Sequence, residues 1–173
     1  MRKALEFPRI DEGKLDAVEA LIAAIADKEP GTAGAELEDL AALYDRFKAA
    51  DCEIYSVSCD THFAHKAWHD ASENIKKLPY PMLADPTHKL ADIFDVYIEE
   101  EGVAERGSFV VNPEGKIVCY EVNAGNIGRN AAELLRRVQA SQFVAEHGDS
   151  VCPARWVPGS EVLHPGIDLV GKL

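Results

Sequence analysis

Apolar residues near the start of the chain recur at the spacing of a helix. Five of them lie three or four positions apart, namely Leu15, Val18, Leu21, Ile22 and Ile25. This spacing places them on one helix face, and the alanines among them favour helix over strand. The pattern predicts a helix over residues 13–28. Its apolar face would pack in the core or at a subunit interface, or bind a partner helix.

A short strand is predicted before this helix and a break after it. The strand covers Lys3 to Phe7 and is ended by Pro8. The segment Pro30 to Gly34 contains a proline and two glycines, which predicts a turn. A second helix follows, with its apolar face formed by Leu37, Leu40, Ala41, Tyr44 and Phe47.

Beyond residue 52, strand-like and helix-like segments alternate. Strands are predicted at 53–58, 80–83, 108–111 and 116–122, and helices at 61–76, 87–96 and 130–146. The last two strands flank Asn112-Pro113-Glu114-Gly115, which predicts a β-hairpin. Alternating strands and helices predict an α/β fold, and a thioredoxin-like sheet flanked by helices is the natural candidate.

The length of 173 residues predicts one domain. Within it, residues 1–34 form a divergent N-terminal segment with the extra helix, and residues 147–173 form an extended tail interrupted by three prolines. No apolar run reaches the length that spans a bilayer. The N-terminus lacks the apolar stretch of a secretory signal, so a cytoplasmic location is expected.

The net charge of the chain limits the kinds of molecule that it is expected to bind. The formal net charge is −12, which argues against nucleic acid and against anionic membranes, since both attract clustered cations. The four cysteines, Cys52, Cys59, Cys119 and Cys152, match no zinc-ligand spacing. In a chain without an export signal, reduced thiols are expected.

Several segments carry a resemblance to a known family. The run from Glu53 to His69 (EIYSVSCDTHFAHKAWH) is the longest, and the tail closes in DLVGKL. Four further segments agree in order and spacing, namely 80–86, 106–113, 127–131 and 151–156. Together they resemble typical two-cysteine peroxiredoxins of the alkyl hydroperoxide reductase C type, over residues 36–173.

The resemblance implies a thiol peroxidase. In this family a cysteine in the first turn of a helix attacks the peroxide and becomes a sulfenic acid. Its pKa is lowered by the helix N-terminus and by an arginine, which matches Arg106. A resolving cysteine in the tail of a partner subunit then forms a disulfide, and this position matches Cys152 in Val-Cys-Pro.

The attacking cysteine itself is not found where the family motif would place it. Counting back from Ala35-Glu36-Leu37, its position falls at Ala33; counting forward from Pro8, it falls at Leu15. No cysteine precedes Cys52. One interpretation is that helix 13–28 replaces the peroxide-binding loop and Lys3 to Phe7 is a remnant of the central strand. The other is that the central strand is lost and the helix is unrelated to it.

The remaining candidate residues have structural alternatives. Cys59 ends a strand where thioredoxin-like folds place their chemistry, so it is either a reactive thiol or a small core residue. Cys52 and Cys119 are interpreted as structural. His62, His65 and His69 share metal-ligand spacing, but the run belongs to the resemblance, which implies no metal and no cofactor. Glu36 matches the family's glutamate and favours the helix dipole.

Two classes of function follow from the resemblance and the missing cysteine. The first is a non-peroxidatic homologue that binds or regulates a partner, such as an intact peroxiredoxin subunit. The second is a thiol-dependent peroxidase or thiol–disulfide oxidoreductase that uses a relocated cysteine, Cys59 or Cys152, together with Arg106 and a thiol reductant. Outside these two classes, a further possibility is a new activity carried by helix 13–28. The resemblance implies a homodimer; decamers in the family rely partly on the missing loop.

Overall fold

The computed structural model describes residues 20–25 and 30–171. Its strands are β1 (Ala20–Ile25), β2 (Cys52–Ser58), β3 (Met82–Ala84), β4 (Tyr97–Ile98), β5 (Val103–Ala104), β6 (Arg106–Val111) and β7 (Ile117–Asn123). Five of them form one sheet in the order β3-β2-β1-β6-β7, while β4 and β5 pair separately. β1 runs parallel to β2 and antiparallel to β6, so the described residues form a mixed α/β sheet as predicted.

Five helices flank the strands: α1 (Pro30–Ala42), α2 (Tyr44–Ala49), α3 (His62–Ala71), α4 (Lys89–Ile93) and α5 (Ala131–Glu146). Short 3-10 turns lie at Ile75–Lys77 and Ile167–Leu169. Thr61 caps α3 and Asn130 caps α5, each accepting a hydrogen bond from a backbone N–H three residues ahead. None of the helices in the described ranges is both long and apolar enough to cross a membrane.

The two faces of the sheet carry separate hydrophobic clusters. The larger cluster contains residues of α1, α2 and α5 together with Ile54 of β2 and Val110 of β6. The smaller one contains Val57, Phe109 and residues of the α4–β5 region. Because side chains alternate along a strand, even-numbered residues of β2 and β6 face the larger cluster and odd-numbered residues face the smaller one. This parity decides which side chains can meet at the candidate site.

The predicted helix at 13–28 is wrong over residues 20–25, which form the central strand β1. Six consecutive apolar residues lie there, and a short apolar run fits a buried strand as well as a helix face. Both interpretations built on that helix are therefore wrong: the central strand is retained, and it is β1 rather than a remnant at Lys3 to Phe7. Residues 1–19 and 26–29, including the predicted strand at Lys3 to Phe7 and the alternative cysteine position Leu15, lie outside the described residues.

Other boundaries differ from prediction in local ways. The predicted turn at 30–34 is the beginning of α1, whose first residue is proline; a helix tolerates proline there because that N–H has no helical partner. The helix predicted at 61–76 ends at Ala71, and that at 87–96 shortens to α4. The hairpin of β6 and β7 and the long helix α5 are confirmed. Strands β4 and β5 were not predicted, because each has only two residues.

The C-terminal tail packs on α5 of its own chain. Val151 and Leu163 form an antiparallel bridge, so the tail doubles back. Trp156 is 3% exposed and its ring lies 5.1 Å from that of Phe143 on α5. Arg136 Nη1 donates a hydrogen bond to the Trp156 carbonyl. The tail is therefore extended but held by defined contacts.

Placing β1 between β2 and β6 has a direct consequence for proline substitution. Ala23 pairs with Tyr55 on one side and Phe109 on the other. Ala23→Pro would remove a ladder hydrogen bond in the middle of the sheet, and we expect it to lower the free energy of unfolding by at least about 2 kcal/mol. Urea denaturation measures this. His62→Pro is the matched control, because the first position of α3 tolerates proline; equal effects would contradict the strand.

Candidate functional site

A buried carboxylate lies in the second turn of α1. Glu36 is 8% exposed, and its two oxygens accept hydrogen bonds from two arginines that are distant in sequence. Arg106 Nη1 lies 2.7 Å from Glu36 Oε2, and Arg129 Nη2 lies 2.7 Å from the same oxygen. The backbone N–H of Arg129 donates to Oε1 at 2.6 Å. One carboxylate therefore ties α1 to β6 and to the loop before α5.

Arg106 is fixed by the sheet and by a loop carbonyl. It opens β6, a strand in which every residue is buried, and it is 1% exposed. Its Nε donates to the carbonyl of Gly125 at 2.7 Å. As an even-numbered residue of β6, it faces the larger cluster, where α1 lies. Its guanidinium is therefore held in one orientation beneath the start of α1.

Arg129 approaches the same carboxylate from the loop before α5. Its Nη1 donates to the carbonyl of Gly107 at 2.6 Å, next to Arg106 on β6. Gly107 has no space for a side chain, because a Cβ there would lie 2.6 Å from the ring of Phe109. A side chain at this position would therefore clash on the face of β6 opposite the arginines.

The electrostatics of the cluster favour an ionised Glu36. Burial by itself raises the pKa of this carboxyl, but the hydrogen bonds and charge of Arg129, followed by the charge of Arg106, outweigh burial, so its pKa lies below the ordinary value. A buried carboxylate that accepts charge-assisted hydrogen bonds is costly to protonate. The three residues, which we call the Glu36–Arg106–Arg129 cluster, form a preorganised cationic site at the first turns of α1.

Comparison with known protein families identifies the family to which this chain belongs. Residues 15–119 match the AhpC/TSA family, and residues 140–169 match the C-terminal domain of 1-Cys peroxiredoxin. The first match alone covers more than half of the chain. This chain belongs to the AhpC/TSA family. The match begins at residue 15, so the similarity includes β1 and extends further toward the N-terminus than the predicted limit at Glu36.

Individual members agree with this assignment. The chain is 51% identical to alkyl hydroperoxide reductase C of Staphylococcus saprophyticus over 138 residues, which cover 80% of this chain and 73% of that protein. It is 50% identical to the protein of the same name from Bacillus subtilis, covering 80% and 74%. The predicted resemblance to the alkyl hydroperoxide reductase C type is confirmed.

Solved structures confirm the peroxiredoxin type of thioredoxin-like fold. The crystal structure of Enterococcus faecalis AhpC superposes with a TM-score of 0.76 at 49% identity, covering 80% of this chain and 84% of that one. Plasmodium vivax 2-Cys peroxiredoxin in its reduced form superposes with a TM-score of 0.82 at 23% identity, covering 90% and 82%. At that lower identity, the second match is evidence of a shared fold alone.

Cys52 lies within the region that matches the AhpC/TSA family, but at the far end of the sheet from Arg106. It is the first residue of β2 and is 0% exposed. Burial raises the pKa of its thiol to about 12. The strand register places Val57 across β1 from Gly107. Cys52 is five residues earlier on β2, which is roughly 17 Å along the strand.

Cys59, a predicted site residue, lies on the other face of the sheet. It follows β2 and packs against the smaller cluster, whereas Arg106 points toward α1. Its neighbour Ser58 is on the Arg106 face instead, with Oγ 2.6 Å from His65 Nε2 of α3. The sheet therefore separates Cys59 from Arg106, and the two predicted site residues are not brought together.

Cys152 and Cys119 both lie beside α5. Cys152 is on the docked tail, where its Sγ lies 3.9 Å from the carbonyl of Ala140. Burial raises the pKa of Cys152, and Arg136 opposes that rise. Cys119 is on β7, where burial raises its pKa and Arg137 opposes it. Neither thiol adjoins the Glu36–Arg106–Arg129 cluster.

Sequence reasoning identified Arg106 and missed the full cluster. Glu36 was assigned only to the dipole of α1, and no role was predicted for Arg129. The segment 127–131, which contains Arg129, was nevertheless one of those that carried the resemblance. A charged residue in a segment that matches a family is the signal that could have pointed to it. Its pairing with Glu36, 93 residues away, is a product of the tertiary fold.

Removing the buried carboxylate should be far more damaging than removing an exposed one. We expect Glu36→Gln to lower the free energy of unfolding by about 3 to 5 kcal/mol, because it leaves buried guanidinium charge uncompensated. Glu133→Gln is the control: Glu133 pairs with Arg136 and Arg137 at the surface, and we expect less than about 1 kcal/mol. Urea denaturation at neutral pH compares them; similar values would contradict the assigned role.

The lowered pKa of Glu36 also predicts a pH dependence. A carboxyl with a depressed folded-state pKa stabilises the fold above its unfolded pKa, about 4.3, and this contribution is lost as pH falls through the folded-state value. We expect the stability of the parent chain to decline below about pH 4 more steeply than that of Glu36→Gln. Urea denaturation at a series of pH values checks this, and parallel profiles would contradict it.

Proposed function

We propose that this AhpC/TSA family member is a non-peroxidatic homologue, which lacks the attacking cysteine and acts by binding a partner subunit. The observation that supports it most directly is the Glu36–Arg106–Arg129 cluster at the start of α1. Arg106, which matches the arginine that polarises peroxide in the family, donates a hydrogen bond to the Glu36 carboxylate. The position that the sequence assigns to the attacking thiol is Ala33, in the first turns of the same helix.

The positions of the four thiols support the same proposal. Cys52 is buried roughly 17 Å along the sheet, Cys59 is on the opposite face, and Cys119 and Cys152 are beside α5. An arginine can lower a thiol pKa only from close range, and burial raises the pKa of Cys52, Cys119 and Cys152. A low-pKa thiol of the kind that attacks peroxide is therefore not expected among these three.

A binding role has a surface to support it. β7 is an edge strand of the sheet, and three apolar side chains along it are exposed, namely Val118, Tyr120 and Val122. Tyr120 is 66% exposed. A long edge strand with exposed apolar residues is a template for pairing with another strand. We propose that β7 pairs with β7 of a second subunit.

The second subunit is either another copy of this chain or an intact alkyl hydroperoxide reductase C subunit. Both would present an equivalent edge strand if they share this fold. In a mixed dimer this chain would supply Cys152 in its tail and the partner would supply the attacking cysteine. The acidic charge and the four thiols fit a reducing, cytoplasmic setting, which we include in the proposal.

The first experiment measures peroxide consumption. We expect the fully reduced protein to consume hydrogen peroxide no faster than an equal concentration of thiols in the amino acid cysteine, because loss of a central nucleophile costs several orders of magnitude. Ala33→Cys is the matched variant: a thiol in the first turns of α1 should react faster than any thiol of the parent.

Two outcomes would contradict this proposal in different ways. Rapid stoichiometric consumption by the parent, with an added oxygen or the loss of two hydrogens in its intact mass, would mean that an existing cysteine has taken over. Single serine substitutions of Cys59 and Cys152 would then identify it. An unreactive Ala33→Cys would contradict the assigned position of the missing thiol.

Introducing a charge on β7 tests whether this edge strand pairs with a second subunit. We expect Tyr120→Glu to weaken self-association roughly a hundredfold, because two carboxylates would meet across the paired strands. Analytical ultracentrifugation measures the monomer–dimer equilibrium. Phe63→Glu is the control. Phe63 is similarly exposed, but it lies on α3, which packs beside β3 at the opposite edge of the sheet from β7. Equal effects of the two variants would contradict pairing through β7, and a parent chain that is monomeric would contradict pairing with a second copy of this chain.

A further inference from the structure

An apolar groove lies between the C-terminal half of α5 and the hairpin that joins β6 to β7. Val110 and Val138, which are almost fully buried, lie at its base, while the exposed Val118 and Ala145 form its walls. Its volume is about 260 Å³, which suits a ligand smaller than a typical drug. The Glu36–Arg106–Arg129 cluster and the cysteines do not line it, so it is separate from the site described above.

Two carboxylates lie at the rim of this groove. Glu114 is in the hairpin turn and Glu146 is the last residue of α5, and both are exposed and line the groove. Within the described ranges of the chain, neither side chain has a hydrogen-bond or ion-pair partner. Lys116 of the same hairpin does not line the groove. Apolar walls beneath an uncompensated anionic rim are complementary to an apolar molecule that carries a positive charge.

The position of Glu146 is unfavourable for α5 itself. The carboxyl end of a helix is the negative end of its dipole, where cations are stabilising and anions are not. α5 has no basic residue in its last turn. His147 follows the helix, but its Nδ1 donates to the Phe143 carbonyl and it does not line the groove. Departures from local preference of this kind are expected at functional sites, and a cation bound beside Glu146 would supply the missing positive charge.

The neutral polar side chains of the groove are already engaged with the protein. Ser141 Oγ donates its only proton to the carbonyl of Arg137 at 2.8 Å, so it can only accept from a ligand. Gln142 Nε2 donates to the carbonyl of Ala50 at 2.6 Å, which leaves Oε1 as an acceptor. Asn112 Oδ1 accepts from the hairpin backbone, which leaves its amide N–H groups as donors. Acceptors therefore outnumber donors around the groove, and a protonated amine has donors only.

We propose that this groove binds a small organic amine in its protonated form. The apolar part of the ligand packs on Val118 and Ala145, and the ammonium lies at the rim beside the Glu114 and Glu146 carboxylates. This amine site does not depend on the partner-binding role proposed above, because none of the groups in the Glu36–Arg106–Arg129 cluster takes part. A net charge of −12 attracts cations to the whole surface. A specific site differs from that general attraction by its location and by its need for the apolar part of the ligand.

The test is a titration of the isotope-labelled full-length chain, followed by two-dimensional NMR of the backbone amides. The probes are phenethylamine, its neutral isostere phenethyl alcohol and the anion hydrocinnamate. We expect the amine to cause saturable shifts at residues 112–114 and 141–146, with an affinity about tenfold higher than that of the alcohol. The anion should cause no saturable shift there. High salt should narrow the difference between amine and alcohol, because exposed charges are screened.

Four variants separate the charges from the apolar wall. Glu114→Gln and Glu146→Gln should each weaken amine binding about threefold and leave alcohol binding unchanged. Glu146→Gln should not lower the midpoint of thermal unfolding, because it removes an anion from the negative end of α5; its loss of binding is then not a loss of folding. Ala145→Phe fills the groove from an exposed helix position and should abolish binding of both ligands. Glu99→Gln is the control, since Glu99 is exposed but outside the groove.

Several results would overturn the amine site. Equal affinities for amine and alcohol would remove the role of the carboxylates, as would equal losses in Glu99→Gln and Glu146→Gln. Amine binding that survives Ala145→Phe would remove the apolar wall. A parent chain without saturable shifts, or with shifts confined to residues outside the groove, would show that the amine does not bind here.

Discussion

The buried carboxylate of Glu36 is the interaction on which the arrangement of this chain depends. It joins three parts that are separated by up to 93 residues in sequence: α1, the first residue of β6 and the loop before α5. Two guanidiniums brought together in a water-poor interior would repel each other without it. The carboxylate makes their approach favourable, and the hydrogen bond from Arg129 to the Gly107 carbonyl further fixes one of them.

The sheet also determines which side chains lie on the same face as Arg106 and can act together with it. Arg106 and Ser58 project toward α1 and α3, while Cys59, immediately after β2, packs on the opposite side of the sheet. The peptide backbone of the sheet thus lies between the fixed arginine and Cys59. At the other end of β2, burial leaves Cys52 as a core residue. In the described residues, the Glu36–Arg106–Arg129 cluster and the four thiols therefore lie in different places.

Sequence reasoning recovered the parts of the fold that depend on local signals. The hairpin at Asn112 to Gly115 and the amphipathic α5 were predicted because turn chemistry and helical periodicity act over a few residues. β1 was misread because its apolar run satisfies both helical and strand patterns, and only pairing with β2 and β6 distinguishes them. The candidate site was half predicted: family resemblance pointed to Arg106, but contacts between Glu36 and Arg129 arise from chain folding and leave no local pattern.

The docking of the tail has a kinetic consequence. Cys152 sits in a segment closed by the Val151–Leu163 bridge and anchored by Trp156 on Phe143. Local opening of such a segment is an equilibrium separate from global unfolding. Cys152 is only partly buried in the docked tail, so a small reagent can reach it there, whereas the rate at which a bulky partner reaches it depends on how often the tail lifts from α5. A change in the Trp156 anchor would therefore alter the reactions of this thiol with large partners without touching the thiol.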